Sequence, residues 1–194
     1  MKKKITDAIE SLKRGEIIVY PTDTQYALGA DIFNSDAIKK IFKLKNRPYD
    51  LPLPIAVEKL DVINNYAIET EHSKKICKHF LPGKLTVILY KKNVISDIIT
   101  AFSDKVAIRI PDNKIALELL HNFGPLTITS ANIHGKQTNR EIELIHSEFK
   151  NKISCYLNYK ILNNTPSTIV DLTHKKPMII REGDISINDI LAVI

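Results

Sequence analysis

Apolar residues recur along the chain in two periods. Ile5, Ala8, Ile9 and Leu12 fall on one face of a helix that stops at Gly15, and "EIIVYP" follows as a buried strand. Asn34 or Ser35 caps a second helix, whose inner face is Ala37, Ile38, Ile41, Phe42 and the stem of Lys45. After a proline-rich turn, "PLPIAV" at 52–57 reads as a short strand. Helical patterns return at about 71–81 and 112–123, the second with Ile115, Ala116, Leu119 and Leu120 inside. "LTVILYK" at 85–91, "KVAIRIP" at 105–111, "PLTITSA" at 125–131, "STIVDLT" and "PMIIRE" supply further strands. Ser186 with Asp189 caps a last short helix containing Ile190 and Leu191. Strands interleaved with helices predict an α/β fold. Some strand-to-strand connections are too short for a crossover helix, so a twisted sheet of mixed parallel and antiparallel strands, flanked by helices, is expected.

Composition narrows the class. At 194 residues the chain suits a single domain spanning 1–194. With 44% apolar and 26% charged residues and no low-complexity tract, it is expected to fold. The net charge of +6 favours anionic partners, nucleotide triphosphates or RNA, without choosing between them. No apolar run reaches the roughly 18 residues of a membrane span. The start, "MKKKITDAIESLKRG", has no apolar stretch behind its lysines, so a cytoplasmic location away from membranes is expected. Cys77 and Cys155 lack disulfide or metal spacing and are expected as buried free thiols. His72, His79, His121, His134, His146 and His174 form no H-x-x-x-H pair and are expected on the surface or on helices. P-loop, dinucleotide and G-x-S-x-G signatures are missing, and "PGKLT" places Leu85 directly after its lysine where a P-loop has Ser or Thr.

The polar residues concentrate at strand ends. "VYPTDT", "AIRIPDN", "TITSAN" and "PSTIVD" each join a β-branched run to hydroxyl, amide or basic residues. Ligands of open α/β sheets lie beyond strand ends. Taken singly, each segment is also an ordinary turn or capping sequence. Lys39, Lys40 and Lys43 alternate with apolar residues as the solvated face of a helix, whereas Lys45 and Arg47 sit at its end beside Pro48. Arg109 interrupts the apolar strand "VAIRIP" and Arg181 ends "MIIRE", so each needs an anion or a buried partner such as Asp23, Asp31 or Asp171.

In order along the chain, "YPTDTQYALGAD", "IFKLKNRP", "LPGKLTVIL", "VAIRIPDN", "TSANIHGK", "PSTIVDLT" and "IIREGDI" resemble the motif series of the YrdC/Sua5/TsaC family, the L-threonylcarbamoyladenylate synthases, over about residues 5–185. The length is that of the family's short, single-domain form. The resemblance implies a nucleotidyltransferase that joins L-threonine, bicarbonate or carbon dioxide, and ATP into threonylcarbamoyl-AMP with release of pyrophosphate. That product serves threonylcarbamoyladenosine (t6A) modification of tRNA through other proteins of the same pathway. It implies Mg2+ with the ATP and no metal held by protein side chains. By motif position, Thr22, Thr24, Ser130 and Ser167 fall to L-threonine, and Lys45, Arg47, Arg109, Asn132 and Arg181 to the nucleotide, with Lys45 and Arg47 neutralising charge and Tyr26 packing along the pocket. The sequence departs from the family pattern in places: Ala27 and Asn46 stand for glycines, Leu51 for Lys or Asn, Asn113 for histidine, and "HGKQ" at 134–137 for the "SGxP" that often follows "SAN". If Ala27 needed a positive φ it would be strained. A second class of function, a non-enzymatic module binding double-stranded RNA or tRNA, is also implied by the family, although no RNP-like aromatic motif supports it.

Overall fold

The computed structural model describes residues 2–162 and 165–194. Its helices are α1 (Lys2–Lys13), α2 (Ser35–Lys45), α3 (Ile63–Tyr66), α4 (Glu71–Phe80), α5 (Asp97–Thr100), α6 (Lys114–Phe123), α7 (Ile142–Phe149) and α8 (Ile187–Leu191). Its strands are β1 (Ile18–Pro21), β2 (Tyr26–Gly29), β3 (Ile55–Ala56), β4 (Ala67–Ile68), β5 (Leu85–Lys91), β6 (Lys105–Arg109), β7 (Leu126–Thr127), β8 (Thr129–Ser130), β9 (Cys155–Tyr156), β10 (Thr168–Asp171) and β11 (Met178–Arg181).

The strands form two sheets, ordered β8-β2-β1-β9 and β11-β10-β5-β6-β3-β7, with β4 attached to β5. Pairing is mixed as expected: β10–β5, β3–β6 and β1–β9 run parallel and the other ladders antiparallel. The run 125–131 is therefore two strands, not one. Thr127 explains the break, because its backbone pairs with β3 while its hydroxyl donates to Leu28 O and accepts from Ala30 N, each at 3.0 Å, stitching the sheets together. β8 then pairs with β2 in the other sheet. "PLPIAV" shrinks to the two residues of β3, since Pro52 and Pro54 have no N–H to give a ladder and Leu53 N donates to Ile99 O at 2.8 Å.

Local signals set the helix ends. Asn34 caps α2 by accepting from Asp36 N and Ala37 N at 3.1 and 3.0 Å, and the buried face of that helix is the expected one, including Lys45. Asn113 caps α6 in the same way through Ile115 N and Ala116 N. Ser186 and Asp189 form a reciprocal capping box at the start of α8. The larger apolar cluster joins the inner faces of both sheets to α2, α4 and α7, and a smaller one lies under α1 and α6. Sequence periodicity misses α3, α5, α7, β4 and β9, and it reads β2 only as a polar turn.

All six histidines are exposed. Cys77 is a buried free thiol, pushed up to about 12 by burial, but Cys155 is only half-buried. It sits on edge strand β9, which α1 covers incompletely. Among the described residues no helix is long and apolar enough to cross a membrane.

Candidate active site

A cavity of about 300 Å³ opens where the β1–β2 turn meets the near ends of β5, β6, β8, β10 and β11. Strand alternation builds its floor, since Thr86 and Ile88, Ala107 and Arg109, and Ser167 and Ile169 are i, i+2 pairs facing one side of the large sheet. Seven of the nine expected site residues line it: Thr22, Thr24, Ser130, Ser167, Arg47, Arg109 and Arg181. They come from segments far apart in sequence, and Tyr26 lies among them.

The hydroxyls differ in how free they are. Thr22 Oγ1 donates to Gln25 O at 2.6 Å and accepts from the backbone N–H groups of Thr24 and Gln25 at 3.1 Å. Thr22 thus borders the cavity, but its hydroxyl is committed inside the turn. Thr24 Oγ1 lies 3.0 Å from Thr22 Oγ1 and accepts from Arg109 Nη1 at 2.8 Å. Ser167 Oγ accepts from Arg181 Nη2 at 3.1 Å and lies 2.8 Å from Thr86 Oγ1. Ser130 Oγ donates to Asn132 Oδ1 at 2.6 Å.

Three arginines from three separate segments line the cavity: Arg47 after α2, Arg109 at the end of β6 and Arg181 at the end of β11. Arg109 is 5% exposed, deep enough that its charge needs a partner, and of the three candidate acids it takes Asp23, at 2.7 Å. Its Nε donates to Gly83 O at 3.0 Å, so among the described residues one N–H on each Nη is left without a partner. Arg181 pairs with no carboxylate among the described residues. Instead its Nε and Nη2 donate to Ser167 O at 3.1 and 2.8 Å. Gly183 permits this approach, because a Cβ there would sit 2.5 Å from Pro166 O. Arg47 is anchored by Leu51 O and Pro52 O at 3.2 and 2.9 Å. Burial lowers the proton affinity of all three guanidiniums from its ordinary value, yet arginine stays charged.

The structure does not bring Lys45 and Asn132 to the cavity wall. Lys45 lies behind it, 1% exposed, with Nζ donating to Ser130 O at 2.5 Å, Asn132 O at 2.7 Å and Asn132 Oδ1 at 3.1 Å. Burial, with the neighbouring Arg47 charge, pushes Lys45 down to about 7, while Glu148 pulls the other way. Lys45 is therefore linked to the cavity through the loop that carries Ser130. Sequence reasoning missed Thr86, whose strand reads as an ordinary buried one; the signal was its alternation with Ile88 on the face that also holds Arg109.

The single-residue departures from the family pattern resolve locally. Ala27 sits in β2 opposite Tyr20, outside the positive-φ residues, so the anticipated strain is absent. Asn46 caps α2 at φ 49°, a left-handed position that asparagine tolerates in place of glycine. Leu51 contributes its carbonyl to Arg47, and Asn113 serves as a helix cap. Among the described residues no group of three or more His, Cys, Asp or Glu side chains is placed to hold a metal ion.

The cavity at the strand ends of this mixed α/β sheet is lined by three arginines and several hydroxyls, a lining suited to an anionic ligand. The family model described as "Telomere recombination", for the Sua5/YciO/YrdC domain, matches residues 10–183, and the chain belongs to that family. A protein of Methanocaldococcus jannaschii is 38% identical over 188 residues, covering 96% of this chain and 89% of its own. Threonylcarbamoyl-AMP synthase of Pyrococcus abyssi is 34% identical over 98% of this chain and 57% of its own. The crystal structure of P. abyssi Sua5 complexed with L-threonine superposes with a TM-score of 0.95 at 34% identity, over 100% of this chain and 58% of that one. The chain thus spans a little over half the length of these Pyrococcus relatives.

Proposed function

We propose that this chain is an L-threonylcarbamoyladenylate synthase, a nucleotidyltransferase that makes threonylcarbamoyl-AMP and pyrophosphate from L-threonine, bicarbonate or carbon dioxide, and ATP. The observation that carries this reading is the meeting of Arg47, Arg109 and Arg181 with Thr24, Ser130 and Ser167 in one cavity. The structurally similar Pyrococcus Sua5 is complexed with L-threonine, which supports an amino-acid substrate; the hydroxyl side is assigned to it because hydroxyls both donate and accept.

The chemistry needs what the cavity offers. Threonine's ammonium loses a proton, and the free amine adds to carbon dioxide with loss of a second proton, or to bicarbonate with loss of water, to give a carbamate. A carbamate oxygen then attacks the α-phosphorus in line with departing pyrophosphate, so one P–O bond forms as another breaks. Both reactants are anions, and their repulsion opposes the encounter. Fixed guanidiniums offset that repulsion without reorganising, and the hydroxyls orient the amino acid. Arg109, held by Asp23 and Gly83, Arg181, held on Ser167, and Arg47 are assigned to the nucleotide's phosphates. No protein nucleophile is required. With no acid cluster on the described residues, Mg2+ is assigned to the triphosphate oxygens, entering with ATP as substrate. The product would pass to other proteins for t6A formation in tRNA.

The test is pyrophosphate release by purified protein with ATP, L-threonine, bicarbonate and Mg2+. Release is expected only when threonine and bicarbonate are both present. Absence of release, together with tight and steeply salt-dependent RNA binding, would favour a binding module instead.

A further inference from the structure

We propose that the Thr86 hydroxyl is a positioning group for the amino-acid substrate, acting through Ser167. The inference rests on the reading of the cavity as a threonine pocket.

Thr86 and Ser167 are each 3% exposed, both line the cavity, and their hydroxyl oxygens lie 2.8 Å apart. Among the described residues Thr86 Oγ1 has no other hydrogen-bond partner, whereas Ser167 Oγ already accepts from Arg181 Nη2. The pair carries two protons, and one is used between them. Among the described residues no acceptor takes the other, so it is delivered into the cavity. A buried hydroxyl proton without an acceptor is costly, so the ligand group that meets the pair is an acceptor, a carboxylate or hydroxyl oxygen, rather than the amino acid's ammonium. The neighbouring Arg181 favours the same sign of charge.

Backbone geometry makes Thr86 a fixed abutment for this hydroxyl. β5 and β10 are parallel neighbours, with Leu85 opposite Thr168 and Thr86 opposite Ile169, so the ladder locks the spacing between Thr86 and the residue preceding β10. Thr86 is also β-branched, which restricts its χ1. When Thr86 donates, both acceptor positions of Ser167 are filled and its own O–H is turned to the substrate. Without Thr86, the Ser167 hydroxyl becomes a free rotor beside Arg181.

The test compares wild type, Thr86→Val, Thr86→Ser, Ser167→Ala and the double variant Thr86→Val/Ser167→Ala, measuring KM for each substrate and L-threonine binding by calorimetry. Thr86→Val should raise KM and Kd for L-threonine about tenfold while KM for ATP stays within about twofold. Thr86→Ser should restore most of the loss. On the Ser167→Ala background, Thr86→Val should add less than about twofold, because the interaction it disrupts is already gone. Unchanged threonine affinity in Thr86→Val, an equal rise in both KM values, or a full additive loss in the double variant would each overturn the proposal. If Thr86→Val fails to fold, Thr86→Ala against Thr86→Ser decides by the same criteria. A wild-type protein that releases no threonine-dependent pyrophosphate defeats the threonine reading itself. An active wild type with an indifferent Thr86→Val defeats only the role of Thr86.

Discussion

Arg109 Nη2 and Asp23 Oδ1 lie 2.7 Å apart in an almost fully buried ion pair that joins the end of β6 to the β1–β2 turn. Asp23 Oδ1 also accepts from Asp112 N at 3.1 Å, while Oδ2 is buried with no partner among the described residues. The pair holds Arg109 against Thr24, so one arginine is aimed by two residues of the same turn. Asp23→Ala leaves that guanidinium buried without its counter-charge. A loss of about 3 kcal/mol in stability is expected, measured by urea unfolding. Threonine affinity should fall with it.

Arg47 and Ser167 line the same cavity but are assigned to different substrates. Arg47→Ala should weaken ATP binding about tenfold or more, since it removes a charged donor, and leave L-threonine binding near wild type. Ser167→Ala should do the reverse. Calorimetric titration with each substrate separates the two, and unchanged affinities in both variants would contradict the site map.

Lys45 gives a pH signature. Its lysine is lowered to about 7 in the fold against 10.5 unperturbed, so between those values the unfolded chain binds the extra proton. Stability should therefore rise with pH across that window, by up to about 1.4 kcal/mol per unit, with the full cost of the buried charge felt below its lower end. Lys45→Met removes the titrating group and should flatten the profile. Urea unfolding of both proteins across the window checks it, and parallel profiles would contradict it.

Two of the departures from the family pattern predict opposite responses to glycine. Ala27→Gly in β2 should destabilise by about 0.5–1 kcal/mol, because glycine in a strand brings only entropy loss. Asn46→Gly, at the left-handed cap of α2, should be neutral to slightly stabilising, whereas Asn46→Ala should cost about 1 kcal/mol. Thermal unfolding distinguishes the two sites.

Much of this was legible where the sequence breaks its own pattern. Arg109 stands in an apolar strand, and its need for a partner could be read directly, although choosing Asp23 over Asp31 or Asp171 required the β1–β2 turn to be placed. The inner face of α2 pointed to a buried Lys45 stem, but periodicity cannot say where an ammonium ends; only the folded loop at 130–132 shows that it stops behind the cavity. β2 was hidden because its four residues follow a turn crowded with polar groups. Thr86 was hidden for the opposite reason: threonine is a good strand former, so nothing about it looked out of place.

The most direct test of the joint site follows the carbon atom that links the two substrates. Incubation with ATP, L-threonine and 13C-bicarbonate, followed by mass spectrometry of the nucleotide products, should give a threonylcarbamoyl-AMP one mass unit heavier than the product from unlabelled bicarbonate, and none without threonine. AMP or ADP alone, or a nucleotide product without the label, would contradict the account.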